Sequence, residues 1–418
     1  MTTPRLLTFG CRLNAYESEV MRARAAEAGL ADVILVNTCA VTAEAVRQAG
    51  QAIRRARRES PGTRIIVTGC GAQTEPDRFA AMPEVDHVLG NAAKLDGQAF
   101  KAIAEGSAPR VSVGSLEVAS RLALPPINSF ATHVRGFVQV QAGCDHACTF
   151  CIIPRGRGAS RSLASAEVIA QVRHHVESGC SEVVLTGVDI TAYGKDLPGA
   201  GTLGGLIRRV LAAVPELKRL RLSSLDCVEI DPELMAALAE EERLMPHLHL
   251  SLQSGDDMIL KRMRRRHSRR EAVALCERAR SARRDLVLGA DLIAGFPTES
   301  EDMHRASLAL ADECSITYLH VFPYSPRPGT PAERMPQVPR AVARERAAEL
   351  RAHGERRLAQ HLEAQRGREV EVLLEGEHHG RTPQFTEVVA ATAGVRGSLR
   401  RMQVTGSEAG RLNAVVIA

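Results

Sequence analysis

Three cysteines, Cys144, Cys148 and Cys151, fall within eight positions of the stretch QAGCDHACTFCIIPRGRG, residues 141–158. Closely spaced thiolates are soft ligands that hold zinc or iron–sulfur clusters. A structural zinc site takes four ligands, usually as two spaced pairs, and no second pair follows here at a matching distance. His133 and His146 lie near and read as ordinary loop histidines. A [4Fe-4S] cluster also takes four ligands, so a protein that supplies three leaves one iron open to a substrate or cofactor. Such an iron serves catalysis and not only electron storage.

A second triplet is dispersed. Cys11 follows the apolar run LLTFG (6–10), Cys39 follows DVILVNT (32–38) and Cys70 follows RIIVTG (64–69). These runs alternate with the helix-like segments AYESEVMRARAAEAG and AEAVRQAGQAIRRARRES, the pattern of βαβ units and a parallel sheet. The carboxyl ends of parallel strands share one edge, where open α/β sheets bind ligands. Cysteines roughly 30 residues apart in sequence are therefore predicted to converge on one crevice as a shared cluster site.

The elements that must position these groups fall into successive regions. Residues 1–105 read as the N-terminal α/β domain, and 106–132, with small residues and the pair Pro125–Pro126, as a linker. Within 133–335 the strand candidates are VRGFVQVQ (134–141), EVVLTG (182–187), RLRLSS (219–224), HLHLSL (247–252), LVLGADLI (286–293) and ITYLHVF (316–322). Six strand and helix units predict a parallel sheet curled into a partial (β/α)6 barrel, with its site at the carboxyl ends of the strands. The Cys144–Cys151 loop follows the first of them. An Arg- and Ala-rich helix (336–364) leads into 365–418, where REVEVLLE, FTEVVAATA, SLRRMQVTG and RLNAVVIA read as a small β-barrel of a type that often binds oligonucleotides. The fold class is α/β.

Composition agrees with a folded enzyme: the chain has 418 residues, 44% hydrophobic and 25% charged. No apolar run approaches the roughly 18 residues of a membrane span, and MTTPRLLTFG lacks the pattern of a signal peptide. The expected compartment is the cytoplasm, with no membrane partner. Ten cysteines without an export signal argue against a disulfide scaffold. Cys180, Cys227, Cys276 and Cys314 have no partner at ligand spacing and read as buried small hydrophobes. The net charge of +5 is concentrated in IRRARR (53–58), KRMRRRHSRR (261–270) and RAHGERR (351–357), a possible nucleic-acid footprint. The run GAGTLG (199–204) matches a dinucleotide fingerprint, but a loop with Pro198 separates it from the preceding strand, so nicotinamide binding is not expected.

C-x3-C-x2-C with aromatic Phe150 before the last cysteine, after the first strand of a partial barrel, resembles the radical S-adenosylmethionine superfamily. In that superfamily S-adenosylmethionine chelates the open iron, and its reductive cleavage yields a 5′-deoxyadenosyl radical. GCRLNAYESE (10–19), GCDHACTFCIIPRGRGASRS (143–162), the N-terminal cysteines and the C-terminal barrel, which corresponds to a TRAM domain, resemble the methylthiotransferases over nearly the whole length. LTGVDITAYG (185–194), LHLSLQSGDDMILKRMRRRHSR (248–269), HVFPYSPRPGTPA (320–332) and GRTPQFTEV (380–388) are most similar to one branch. That branch modifies N6-threonylcarbamoyladenosine (t6A) at position 37 of tRNA; sister branches act on isopentenyl-adenosine in tRNA or on an aspartate of a ribosomal protein.

The resemblance implies two [4Fe-4S] clusters, with Cys144, Cys148 and Cys151 on the radical-generating one and Cys11, Cys39 and Cys70 on an auxiliary one that carries the sulfur. One S-adenosylmethionine would methylate that sulfur and a second would activate C2 of adenine. Ser251, Gln253, Asp291 and Gly295 are expected near the cofactor's ribose and adenine, Gly187 near its methionyl group and Phe150 against its adenine. The acidic residue common in the Gly187 motif is absent, with Asp189 close by. The implied partners are the anticodon loop of tRNA, presenting a flipped-out adenine, a reductase or flavodoxin-like electron donor, and a sulfur donor.

Overall fold

The computed structural model describes residues 4–116 and 134–417. The described residues form two compact units, the first drawn from Met1–Ile127, Gln139–Leu163 and Ser325–Glu333, the second from Asn128–Val138, Ala164–Tyr324 and Arg334–Ala418.

The first unit holds a parallel sheet of β1 (Arg5–Thr8), β2 (Val33–Thr38), β3 (Arg64–Gly69), β4 (His87–Leu89) and β5 (Val111–Ser112), in sequence order. Helices cover both faces, so the central strands are apolar on both. Ile34, Val36, Ile65 and Val67 pack with Val46, Ile53 and Phe79 on one face. Leu35 and Ile66 pack with Met21, Phe100 and Ile103 on the other. Burying each such side chain contributes ~1.5–3 kcal/mol. The helix Ala43–Glu59 buries Val46, Ala49, Ile53 and Ala56 at helical spacing, and the Thr42 side chain caps it by accepting from the Ala45 N–H. Strand β5 lies inside the stretch read from sequence as linker: Val111 pairs with Val88 and Ser112 with Leu89. Two residues are too few to show periodicity, and 117–132 of that stretch lie outside the described residues.

Strand β6 (Arg135–Gln139) leads into the cysteine loop, which is framed by the antiparallel pair β7 (Gln141–Ala142) and β8 (Arg161–Ser162). In the second unit β6 lies beside β9 (Glu182–Thr186), which pairs in parallel with β10 (Arg219–Leu222). Strands β11 (His247–Gln253), β12 (Val287–Ala294) and β13 (Ile316–Pro323) form another, and the bridges Leu220–Leu244 and Leu225–Leu250 join the two halves. Sequence order is thus kept across six strands, as expected for the partial barrel.

Alternation along these strands separates two surfaces. Val183, Leu185, Leu220, Leu222, Leu248, Leu250, Leu288 and Leu292 are buried on one. The opposite parity carries Glu182, Arg219, Arg221, His247, His249, Ser251, Asp291, Tyr318 and His320. A closed β/α barrel usually fills its interior with branched aliphatics, so this polar face is suited to a polar ligand.

The small barrel is closed, in the order β14 (Glu369–Leu374), β15 (His379–Arg381), β16 (Glu387–Ala390), β18 (Arg411–Val416) and β17 (Leu399–Glu408). Val372, Leu374, Val388, Met402, Val404 and Leu412 fill it, and Leu362 of the helix Arg340–Glu363 packs against them. Strand β15, with the sequence HGR, carries no apolar signal and adds a strand to the four that the sequence pattern predicts. Beyond it Phe385 stands at φ 71°, with the guanidinium groups of Arg135, Arg221 and Arg381 lying 5.0, 4.8 and 4.3 Å from its ring centroid. His247 stacks on the same ring, 5.4 Å between centroids. Among the described residues no helix is long and apolar enough to cross a membrane.

Candidate functional site

Cys11, Cys39 and Cys70 are placed by their strands. Cys11 caps the helix Arg12–Glu27, Cys39 directly follows β2, and Cys70 opens the short helix Cys70–Thr74 directly after β3. Two glycines allow the close approach. Gly10, at φ +98°, would bring a Cβ to 3.0 Å from the Cys39 sulfur, and Gly69, at φ +95°, would drive one to 2.4 Å from Thr38 O. The Asn14 amide ties the loops by donating to Phe9 O (2.7 Å) and Thr38 O (3.2 Å). Burial pushes the Cys39 thiol up to about 11; the Val41 N–H works against this, and the neighbouring sulfurs of Cys70 and Cys11 add to it.

The second triplet is held by its own backbone. The Cys144 N–H donates to Gly158 O and the Cys151 N–H to Cys148 O, both at 3.1 Å. Gly143 sits at φ +73°, and a Cβ there would lie 1.8 Å from Ala159 O, so only glycine permits the turn entering the loop. The Asp145 carboxylate accepts from the Ser160 N–H (2.9 Å) and Thr149 O accepts from the Ala332 N–H (2.9 Å).

The donor set fits iron–sulfur chemistry. None of the ten cysteines, all of them among the described residues, is in a disulfide. Several sulfurs accept N–H donors, a feature of thiolates bound to clusters. The donors are Val41 to Cys39 (3.4 Å), His146 to Cys144 (3.5 Å), Ile153 to Cys151 (3.4 Å) and the Asn91 amide to Cys70 (3.7 Å).

Both triplets belong to the same compact unit, and polar residues that sequence reasoning missed join them. Arg157, at the end of the helix Ile153–Arg157, donates to Glu17 Oε1 (2.7 Å), Glu17 Oε2 (2.9 Å) and Asn14 Oδ1 (2.7 Å). Lys94 Nζ donates to the same Glu17 carboxylate at 2.5 Å, and all four side chains are buried. Burial raises the Glu17 carboxyl, but Arg157 and Lys94 together bring it down to about 2. Burial opposes charge on Arg157 too, yet Cys70, Glu17 and Cys11 hold it firmly protonated. Asn91 also donates to Gly156 O, and Ile152 packs with Ala40 and Cys70. The segment Ser325–Glu333 closes against this assembly: Ser325 Oγ accepts from the Ala43 N–H (3.0 Å), Arg327 pairs with Glu75, and Pro328 O accepts from Arg155 (2.8 Å). The only sequence signal for the clamp was that Asn14, Glu17 and Arg157 lie inside the quoted motifs.

Of the expected cofactor contacts, Phe150 is half-buried on the cysteine loop and Gly187 follows β9. Ser251 and Gln253 stand at a register shift in β11, where Gln253 adopts φ 68°; such irregularities often re-aim side chains beside a site. Gly295 has a packing reason of its own: at φ +70°, a Cβ would meet Ala343 Cβ at 2.3 Å. Asp291 is engaged by His249 Nε2 (2.9 Å) and His320 Nδ1 (3.5 Å).

Much of the basic run 261–270 is engaged internally. Arg265 donates to Asp226 and to Ser251 O (both 2.8 Å), Arg266 to Glu229 (2.7 Å), and Arg269 to Gly255 O, Ala306 O and Glu313. Lys261, Arg264 and Arg270 stay exposed. At GAGTLG, the acidic groups of Asp231 and Glu233 accept from Thr202 at the start of the helix Leu203–Ala213.

A six-strand partial β/α barrel with a three-thiol loop after its first strand defines a radical S-adenosylmethionine enzyme. Residues 138–311 match the Radical SAM superfamily, and residues 4–90 match the Uncharacterized protein family UPF0004. The chain is 47% identical, over 99% of its length and 97% of the relative's, to the threonylcarbamoyladenosine tRNA methylthiotransferase MtaB of Rickettsia prowazekii. It is 37% identical, over 90% of its length and 88% of the relative's, to the tRNA-2-methylthio-N(6)-dimethylallyladenosine synthase of Erythrobacter litoralis. The solved structure of the radical S-adenosylmethionine methyltransferase TsrM from Kitasatospora setae, with cobalamin and a [4Fe-4S] cluster bound, shares the fold. Its TM-score is 0.55 at 16% identity, covering 80% of this chain and 74% of that one. The chain belongs to the methylthiotransferase family of radical S-adenosylmethionine enzymes.

Two outcomes follow for the cysteine unit. Glu17→Gln strands two buried cations and should destabilise the protein by ~3–5 kcal/mol, read by urea unfolding. The folded pKa of about 2 lies below the ordinary 4.5, so the Glu17 contribution is complete above 4.5 and disappears as pH falls from there towards 2. A wild-type acid-unfolding midpoint that Glu17→Gln leaves unmoved would contradict this. Gly143→Ala should lower iron bound after reconstitution while sparing the fold of the second unit, as far-UV circular dichroism can check; full iron content would refute the steric argument.

Proposed function

We propose that this enzyme methylthiolates C2 of N6-threonylcarbamoyladenosine at position 37 of tRNA, using two [4Fe-4S] clusters and S-adenosylmethionine. The observation that supports the reading is that two cysteine triplets, each of which would leave a cluster one protein ligand short, belong to one compact unit. A single radical-generating cluster needs only one of them. The substrate branch is supported by the names of relatives, with 47% identity to the threonylcarbamoyladenosine enzyme against 37% to the dimethylallyladenosine enzyme.

Cys144, Cys148 and Cys151 would hold one cluster and Cys11, Cys39 and Cys70 the other. When bound, the clusters and S-adenosylmethionine supply one-electron chemistry, the methyl group and the transferable sulfur. The chain's own residues position and insulate. Backbone and Asn91 N–H groups donate to the sulfurs, and Arg157 places a fixed positive charge where thiolates concentrate negative charge. Phe150, Gly187, Ser251, Gln253, Asp291 and Gly295 remain the proposed cofactor neighbours. Exposed arginines such as Arg351, Arg368 and Arg400 in the second unit suit tRNA phosphates. An electron donor of the reductase or flavodoxin type and a sulfur donor complete the system.

Cys148→Ala should abolish formation of 5′-deoxyadenosine, measured by chromatography with dithionite as reductant. Cys39→Ala should bind about half the iron and still cleave the cofactor; loss of both functions together would make the N-terminal site structural. In the host, deletion should remove 2-methylthio-N6-threonylcarbamoyladenosine from total tRNA by mass spectrometry, and wild type but not Cys148→Ala should restore it. Disappearance of the isopentenyl derivative, or of the methylthio group of a ribosomal protein, would move the enzyme to a sister branch.

A further inference from the structure

On the polar face of the barrel strands, three side chains from β11, β12 and β13 meet in the second unit. Asp291 Oδ1 lies 2.9 Å from His249 Nε2 and 3.5 Å from His320 Nδ1, and the two imidazole centroids are 4.6 Å apart. The register produces this: Asp291 is paired directly with His320 on β13, and Gly289 with His249 on β11. Gly289 makes room, because a Cβ there would lie 2.5 Å from His249 Nδ1. Burial works against ionisation of Asp291, but bonds from the two imidazoles bring its carboxyl down to about 2, so it is a fixed anion between them.

The members differ in access. The side chains of His249 and Asp291 are 10% and 20% exposed, whereas that of His320 is 61% exposed. His320 thus has Nδ1 towards Asp291 while most of its side chain is open to solvent. Other charges on this face are spent on one another: Arg221 on Glu182 at 2.7 and 3.0 Å, Arg219 on Glu371 at 2.8 Å, and Arg135 on Glu375 at 2.7 Å. Two residues further along β13 and on the same side, Phe322 is an exposed aromatic ring, roughly 7 Å away along the strand, of the kind on which an unstacked base rests.

We propose that His320, oriented by Asp291, binds the carboxylate of the threonylcarbamoyl group and so distinguishes this base from one bearing an apolar N6 substituent. The inference rests on the substrate reading given above. A ring N–H donated to a carboxylate makes a charge-assisted bond, and such bonds are the strong ones. An isopentenyl chain offers nothing to pair, and burying the Asp291–His320 pair beneath it would leave polar groups unsatisfied.

The test uses reconstituted full-length enzyme and three synthetic anticodon stem-loops, carrying threonylcarbamoyladenosine, its threonine-amide analogue or isopentenyl-adenosine. For wild type, changing the carboxylate to the amide should raise KM about tenfold. His320→Gln should raise KM for the acid by a similar factor, with kcat changed less and little further loss on the amide. Equal wild-type KM for acid and amide overturns the proposal, as does a His320→Gln enzyme that keeps the full preference for the acid. Iron content and Tm show whether the variant folds; if it does not, the wild-type comparison of acid and amide still decides. Wild type that ignores threonylcarbamoyladenosine and modifies isopentenyl-adenosine would instead sink the substrate reading itself.

Discussion

A buried carboxylate with two buried cations on it is the constraint around which the cysteine unit is organised. Glu17 sits on the helix Arg12–Glu27, whose cap is Cys11; Arg157 ends the short helix after Cys151; Lys94 follows the interior strand β4. Removing Glu17 would leave two like charges facing each other in a low-dielectric interior. The cost enforces geometry: Arg157 meets Glu17 through two parallel bonds, a fork that tolerates little rotation. Asn14 extends the clamp, since its amide nitrogen holds the loops after β1 and β2 while its oxygen receives Arg157. The loops carrying Cys11 and Cys39 and the loop carrying Cys144 to Cys151 are therefore referenced to the same few atoms.

The two sheets solve different problems with the same alternation of strand and helix. In the first unit the strands are apolar on both faces, and chemistry is confined to the loops at their ends, where Gly10 and Gly69 let backbones approach. In the second unit only the helix-facing parity is apolar. The other parity is charged or hydrogen-bonding along most of its length, and its guanidinium groups surround Phe385 near the strand starts. Guanidinium faces are weakly hydrated and stack on aromatic rings, so a ring and paired glutamates accommodate charges that an aliphatic filling could not. What remains for a ligand is the polar stretch towards the strand ends.

Much of this was legible because it is periodic. Six barrel strands show two-residue alternation or continuous apolar runs, and the cysteines adjoin such runs, so their place at strand ends could be read directly. Strands β5 and β15 could not: one is two residues long, the other is HGR without an apolar position. Charge was the least legible property. The run KRMRRRHSRR looks like a surface footprint, yet Arg265 and Arg269 spend their donors on carbonyls and carboxylates of neighbouring segments. Conversely, Glu17 and Lys94 resemble ordinary helix and loop surface, and nothing local marks them as buried. The partners of Glu17, Lys94 and Arg157, lie 77 and 140 residues from it, separations at which one sequence carries no pairing signal. Gly295 shows the same limit, since the residue that demands its missing side chain, Ala343, belongs to a distant helix.

The placement of Arg157 also bears on how two clusters could work in one unit. Three thiolates and a cluster carry net negative charge, and two such assemblies close together repel and resist reduction. A guanidinium that cannot lose its proton, held against Glu17 and within the electrostatic reach of Cys70 and Cys11, offsets part of that charge without adding a titratable group. Lysine in the same place would supply charge but neither the fork to Glu17 nor the third bond to Asn14. The residue that secures the loop would thus also be the one whose charge eases the electrostatics of a cluster held there. Were clusters bound on both triplets, the stability of the loop and the reducibility of the site would be coupled through this one side chain.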